Sequence, residues 1–203
     1  MSTVKSKKLQ VGTDATSSNN FTIYQPATPD GTLRIGVGNA DSPTEVGQFN
    51  ANGYKPATAP AFSAYPTAQQ TVTSSVSTVV VLDAEEFDTA SRFNNTGSTV
   101  GGIPAYSFMP NVAGYYMFST TVSNEVSVSS VRFIVITQKN GTGGDRVFDY
   151  QNTGTFVAPG TILYYLNGTT DYVTLQVYVA ATTAKLNSPF AQTRFQGFLI
   201  QQA

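Results

Sequence analysis

Nowhere in this chain do apolar residues recur at i, i+3, i+4 and i+7 over three turns, so no amphipathic helix is available to build a core. The period that does occur is two. In Tyr172–Val179, Val173, Leu175, Val177 and Val179 share one face, while Tyr172, Thr174, Gln176 and Tyr178 share the other. Thr, Val, Tyr and Phe dominate such stretches, and 17 Gly and 10 Pro punctuate them. The chain therefore reads as all-β, built from many short strands.

Proline placement divides it. Six of the ten prolines (Pro26, Pro29, Pro43, Pro56, Pro60 and Pro66) lie in the first third, where each removes a ladder donor and favours an edge or turn. Residues 1–60 read as an extended N-terminal β arm, ending in the linker-like Gly53–Pro60. The arm carries a faint repeat: Leu9-Gln10-Val11-Gly12 returns as Leu33-Arg34-Ile35-Gly36, each followed by a short apolar run, Phe21–Tyr24 and Glu45–Phe49. Such small strands bury little by themselves, so the arm calls for a partner, either copies of itself or a larger surface.

Residues 61–203 are denser in strand signals. The candidates are Ala61–Ala64, Thr71–Leu82, Ala105–Phe108, Tyr115–Val122, Val131–Lys139, Val147–Tyr150, Gly154–Val157, Ile162–Leu166, Tyr172–Ala180 and Thr193–Gln201. The alternation of Val126–Val135 slips at Ser129-Ser130, which predicts a bulge or a turn there. Ten strands without a helix predict a sandwich or jelly roll. In 203 residues, 13 Phe and 11 Tyr exceed what one core of this size absorbs, which predicts an interface.

Composition excludes several chemistries. There is no Cys and no His, hence no thiol nucleophile, imidazole base, disulfide framework or Cys/His metal centre. Eleven basic against twelve acidic residues give a net charge of −1, a poor match to nucleic acid or an anionic lipid surface. No apolar run approaches the roughly 18 residues of a membrane span, and Met1–Gln10 lacks the apolar stretch of a secretory signal. The absence of Cys fits assembly in a reducing cytoplasm.

The C-terminal two thirds resemble the globular head domain of the complement and tumour-necrosis-factor-like superfamily, in its bacteriophage versions. The matching pieces are Ala61-Phe62-Ser63-Ala64, then Tyr106-Ser107-Phe108 followed by Gly114-Tyr115-Tyr116-Met117-Phe118-Ser119, then Val135–Gly141 (VITQKNG), and finally Thr193-Arg194-Phe195-Gln196-Gly197-Phe198-Leu199-Ile200. One departure is that Gly168 and Asp171, adjacent in the family, are separated by Thr169-Thr170. The resemblance implies a ten-stranded jelly roll (TNF-like β-sandwich) that assembles as a trimer. Because side chains alternate, Phe195, Tyr116 and Phe118 are expected in the sandwich, leaving Phe198 or Tyr115 for a threefold contact. The arm, through Pro29-Asp30-Gly31-Thr32-Leu33-Arg34-Ile35-Gly36 and Pro43-Thr44-Glu45-Val46, resembles N-terminal segments of tail-fibre and head-decoration proteins of cyanobacterial viruses.

These resemblances imply a non-enzymatic virion protein: a homotrimeric capsid decoration (cement or head-fibre) protein. Residues 1–60 would grip the major capsid protein or another virion protein, and residues 61–203 would project outward. The alternative is a tail-fibre tip that recognises a host surface glycan. No catalytic, cofactor or metal residues are assigned. Asp83, Glu85, Glu86 and Asp88 form an acidic cluster that reads as a solvated edge sooner than a carboxylate pair or a cation site. Gly36-Val37-Gly38 lacks the third glycine and the helix of a dinucleotide loop and reads as a turn. Lys5, Lys7 and Lys8 are either a clamp for an acidic surface or a solvated terminus. Tyr150, Tyr164 and Tyr165 are candidates for stacking on sugar rings, against a packing role. The Asn-x-Thr triplets at Asn20, Asn94, Asn140 and Asn167 are expected by chance in so Asn- and Thr-rich a chain.

Overall fold

A computed structural model describes residues 7–56, 59–126, 131–152, 156–180, 184–188 and 192–203. The chain divides into two compact units, Met1–Ala59 and Pro60–Ala203. The described residues are all-β apart from one 3-10 turn, Ser17–Asn19. None of their helices is long and apolar enough to cross a membrane.

The first unit is a five-stranded antiparallel meander: β1 (Lys8–Val11), β2 (Phe21–Tyr24), β3 (Leu33–Val37), β4 (Thr44–Asn50) and β5 (Gly53–Pro56), paired in sequence order. The expected extended arm is therefore corrected to a sheet that pairs with itself. Its turns carry the chemistry that reverses the chain. Asp30 Oδ1 accepts from the Thr32 N–H (3.0 Å) and hydroxyl (2.6 Å) beside Gly31, and Asn50 Oδ1 accepts from the Asn52 N–H (2.8 Å) just before Gly53, whose φ is +105°. Asn20 is buried and ties three segments together: its Oδ1 accepts from the Asp14 N–H, and its Nδ2 donates to Asp14 O and Asn39 Oδ1.

The second unit contains β6 (Ala61–Tyr65), β7 (Gln70–Val72), β8 (Thr78–Val79), β9 (Ala84–Asp88), β10 (Phe93–Asn94), β11 (Ser107–Phe108), β12 (Gly114–Val126), β13 (Val131–Lys139), β14 (Asp145–Asn152), β15 (Phe156–Leu166), β16 (Val173–Val179), β17 (Ala184–Leu186) and β18 (Arg194–Gln202). One sheet runs β10-β11-β16-β13-β14, with β8 also on β16. The other runs β7-β17-β12-β18-β6-β9, with β15 on the remaining side of β12. All named pairings are antiparallel, as in a sandwich.

Between the sheets lies a ring cluster. Phe62 stacks on Phe108 (4.5 Å) and Phe93 (4.8 Å) and meets Phe195 edge-on at 5.1 Å; Phe118 stacks on Phe195 at 5.5 Å. Gly197 makes room for them, since a Cβ there would stand 2.7 Å from the Phe62 ring and 2.8 Å from that of Phe118. β16 is buried almost throughout.

Three strand readings are corrected. Thr71–Leu82 is two strands, β7 and β8, because Ser75 turns the chain with φ 59° and donates its N–H to Val179 O (2.8 Å). Gly154–Val157 and Ile162–Leu166 are parts of one strand, β15, that runs through Pro159-Gly160; residues 153–155 lie outside those described. Proline is tolerated because the only named strand that β15 pairs with is β12, leaving Pro159 on a sheet edge. The strands β9, β10 and β17 add to those expected. The slip at Ser129-Ser130 falls outside the described residues, between the end of β12 and the start of β13.

Candidate functional site

Strands β15, β12, β18, β6 and β9 lie side by side, and their residues alternate between the ring cluster and the outside of the sandwich. Tyr116 and Phe118 of β12 and Phe195 of β18 point inward and are fully buried, as expected. Their neighbours point outward. Register places Tyr115 against Tyr165, and Met117 between Leu163 and Phe198. A bulge where β12 and β18 shift register at Tyr115/Tyr116 leaves Ile200 without an opposite residue on β12. Tyr115, Leu163, Tyr165, Phe198 and Ile200 are each 44–53% exposed. The sequence left Phe198 and Tyr115 as alternatives; the sheet puts both on the same outer face. Phe87 of β9 extends it, and a shallow cleft of about 140 Å³ lies between Phe87, Ser119, Gln196 and Phe198.

The face has a polar rim. Lys139 donates to Tyr165 O (2.7 Å), sits 5.9 Å from that ring's centre and pairs with Asp171 at 2.9 Å. Burial pushes the Asp171 carboxyl up, but hydrogen bonds from Asn140, Lys139 and the Asn167 N–H outweigh it and hold the carboxyl below its ordinary value. At the other end Arg194 lies 3.9 Å from Glu86. An apolar centre with charges at its margin is the composition of a protein interface.

The structure separates the four acidic residues of the 83–88 cluster. Asp83 accepts from the Thr67 N–H (2.7 Å) and hydroxyl (2.6 Å). Asp88 accepts from the N–H groups of Ala90, Arg92 and Phe93 and so shapes the turn after β9. Glu86 faces Arg194. The Glu85 carboxyl is pushed up by burial and by the charge of Asp88. Among the described residues no group of three or more acidic side chains could hold a metal ion.

Gly36 and Val37 end β3, and Gly38, at φ +116°, begins the turn closed by the Ser42 N–H on Asn39 O (3.1 Å). Lys5 lies outside the described residues. Lys7 and Lys8 line a cleft of about 490 Å³ with Tyr24 and Asp41, and Lys8 Nζ donates to Ala40 O at 2.6 Å. The three tyrosines do not form one site. Tyr164 turns inward, its hydroxyl shared with Thr137 and donated to Asp145 (2.7 Å), whereas Tyr165 and Tyr150 are exposed on β15 and β14.

No family model and no curated protein matches the sequence. Solved structures do. Murine APRIL at pH 8.5 aligns over 70% of this chain and 100% of its own, with a TM-score of 0.50 and 13% sequence identity. A second crystal form, at pH 8.0, gives 0.50 and 14% over the same shares. Eiger TNF from S. frugiperda aligns over 71% of this chain and 93% of its own, with a TM-score of 0.49 and 10% identity. The fold is the tumour-necrosis-factor-like jelly roll. The likeness is one of backbone architecture.

Proposed function

We propose that this chain is a non-enzymatic structural protein of a phage virion, a homotrimeric capsid decoration protein. Its first unit attaches to the shell and its jelly roll projects outward. The observation that carries the self-assembly is the outer face of the β15-β12-β18-β6-β9 sheet. Tyr115, Leu163, Tyr165, Phe198 and Ile200 together expose an apolar patch at the upper end of what a solitary subunit leaves in water. Closing that face between copies gains about 25 cal/mol per Å² of apolar area. The virion role is supported by the sequence resemblance to viral head-decoration and fibre segments, and by a chain without His or Cys that has no convergent acidic site among its described residues. Binding only to assembled shell would stabilise the shell by mass action.

The test has two parts. Sedimentation equilibrium of the full chain is expected to give three times 21.6 kDa; a monomer at micromolar concentration would refute the assembly. Gold-labelled antibody on intact particles is expected over the head in many copies. Label confined to the tail would replace decoration with the tail-fibre reading, in which distal loops meet a host glycan.

A further inference from the structure

The first unit is a single layer with two unlike faces. Register aligns Leu9, Ile23, Ile35 and Gly47 across β1–β4, and Leu33, Phe49 and Tyr54 across β3–β5, all on one side. Leu9, Val11, Phe21, Leu33, Phe49 and Tyr54 on that side are 44–59% exposed. Tyr54 lies flat over Gly47, where a Cβ would stand 2.4 Å from its hydroxyl, so the face is smooth. The opposite side holds the polar groups, several of them paired within the unit. Arg34 bridges Asp30 (2.6 Å) and Glu45 (3.0 Å), and the buried Thr22 hydroxyl donates to Gly38 O. Lys8 and Lys55 also take register positions on that side.

A sheet with one apolar face must bury it against another layer, and the described residues of this unit form no second layer. We propose that the layer is the same face of sister copies: three meanders turn their apolar sides to one another around the axis of the trimer. This rests on the trimer proposed above. Three observations select sister copies. First, the paired strand positions on that face carry no charged side chain among the described residues, so it needs no complementary partner and matches itself. Second, it offers about 600 Å² of apolar surface per copy, at the upper limit of what monomers leave exposed, and three copies together reach the range of a stable interface. Third, only four residues, 57–60, separate β5 from β6, a reach of about 14 Å at most. Copies gathered by their jelly rolls therefore have these sheets gathered too, at high effective concentration. Attachment to the shell then falls to the polar side, with its Lys7, Lys8 and Tyr24 cleft, and to the edge strands β1 and β5.

The chain contains no cysteine, so a single introduced thiol reports on one position. The test uses full-length Leu33→Cys, on the apolar face, and Lys55→Cys, on the polar face, each checked for β content by circular dichroism and for mass by light scattering. In the trimer, Leu33→Cys is expected to react with a water-soluble maleimide at least tenfold more slowly than Lys55→Cys, and a short bis-maleimide is expected to link copies through it. Equal labelling rates in an intact trimer would overturn this inference and leave the trimer standing. A monomer would overturn both, and a protected thiol in a monomer would mean that the chain covers its own sheet.

Discussion

Phe195 and Phe198 sit three residues apart on β18 and face opposite ways, so the same truncation at each separates folding from assembly. Phe195 is 0% exposed and wedged between Phe62 and Phe118; Phe198 is 48% exposed beside Met117. Phe195→Ala removes a ring from a closed cluster and is expected to cost about 3–5 kcal/mol of subunit stability. With a urea slope of about 2 kcal/mol/M, the unfolding midpoint falls by roughly 2 M. Phe198→Ala has no cavity to open. Within a subunit its cost is expected to stay below about 1 kcal/mol, but the ring's exposed half, about 90 Å² of apolar surface, is worth about 2 kcal/mol per copy once covered. Summed over three copies, the concentration for half-dissociation of the trimer rises about a hundredfold. Urea unfolding followed by tyrosine fluorescence and sedimentation across a dilution series read the two effects. If Phe198→Ala leaves the dissociation midpoint unmoved, the outer face is not the subunit contact. If Phe195→Ala costs less than 1 kcal/mol, the inward and outward assignment of β18 is wrong.

Gly197→Ala drives a methyl into the rings of Phe62 and Phe118 and is expected to destabilise the jelly roll by about 1–3 kcal/mol in a thermal or urea melt. Asp88→Ala strips the acceptor from three backbone N–H groups and is expected to cost about 1–3 kcal/mol, while millimolar calcium leaves the melting temperature of the wild-type chain unchanged, as measured by calorimetry. Burial pushes the Tyr116 hydroxyl from 10.0 up to about 12. The folded state therefore holds this proton more tightly than the unfolded chain, and the associated stability is complete below pH 10 and is lost as the pH rises from 10 to 12. Tyr116→Phe gives up the bond to Val112 O (2.8 Å), about 1 kcal/mol at neutral pH, but should flatten the alkaline decline in urea midpoint between pH 10 and pH 12.

How much of this was readable beforehand depends on strand length and on turn chemistry. β13 was legible residue for residue and β16 nearly so: β16 alternates over seven positions, and β13 is a run of β-branched and aromatic residues bounded by turn signals. β10 and β17, with two and three residues, are too short to display any period; β17 forms where the long β12 presents open ladder positions, and β10 pairs with the equally short β11. Gly154–Val157 and Ile162–Leu166 read as separate strands, whereas β15 runs on through Pro159 at a sheet edge. In the first unit the prolines pointed to an extended arm, whereas Asp30-Gly31 and Asn52-Gly53 were the better guides, since they reverse the chain and let neighbouring pieces pair. On the outer face, alternation alone gave the inward residues Tyr116, Phe118 and Phe195. That Tyr115 and Phe198 share a face depends on the register between two strands far apart in sequence, with a bulge at Ile200, and nothing local encodes it.

Pro159 carries one more consequence. Among the described residues no strand pairs with the outer border of β15, and such a border is where another extended chain would add to the sheet. Pro159 offers no N–H to an incoming strand, and Gly160 beside it has no side chain to brace one. That border is thereby a poor template, and growth by strand addition stops where the sheet stops.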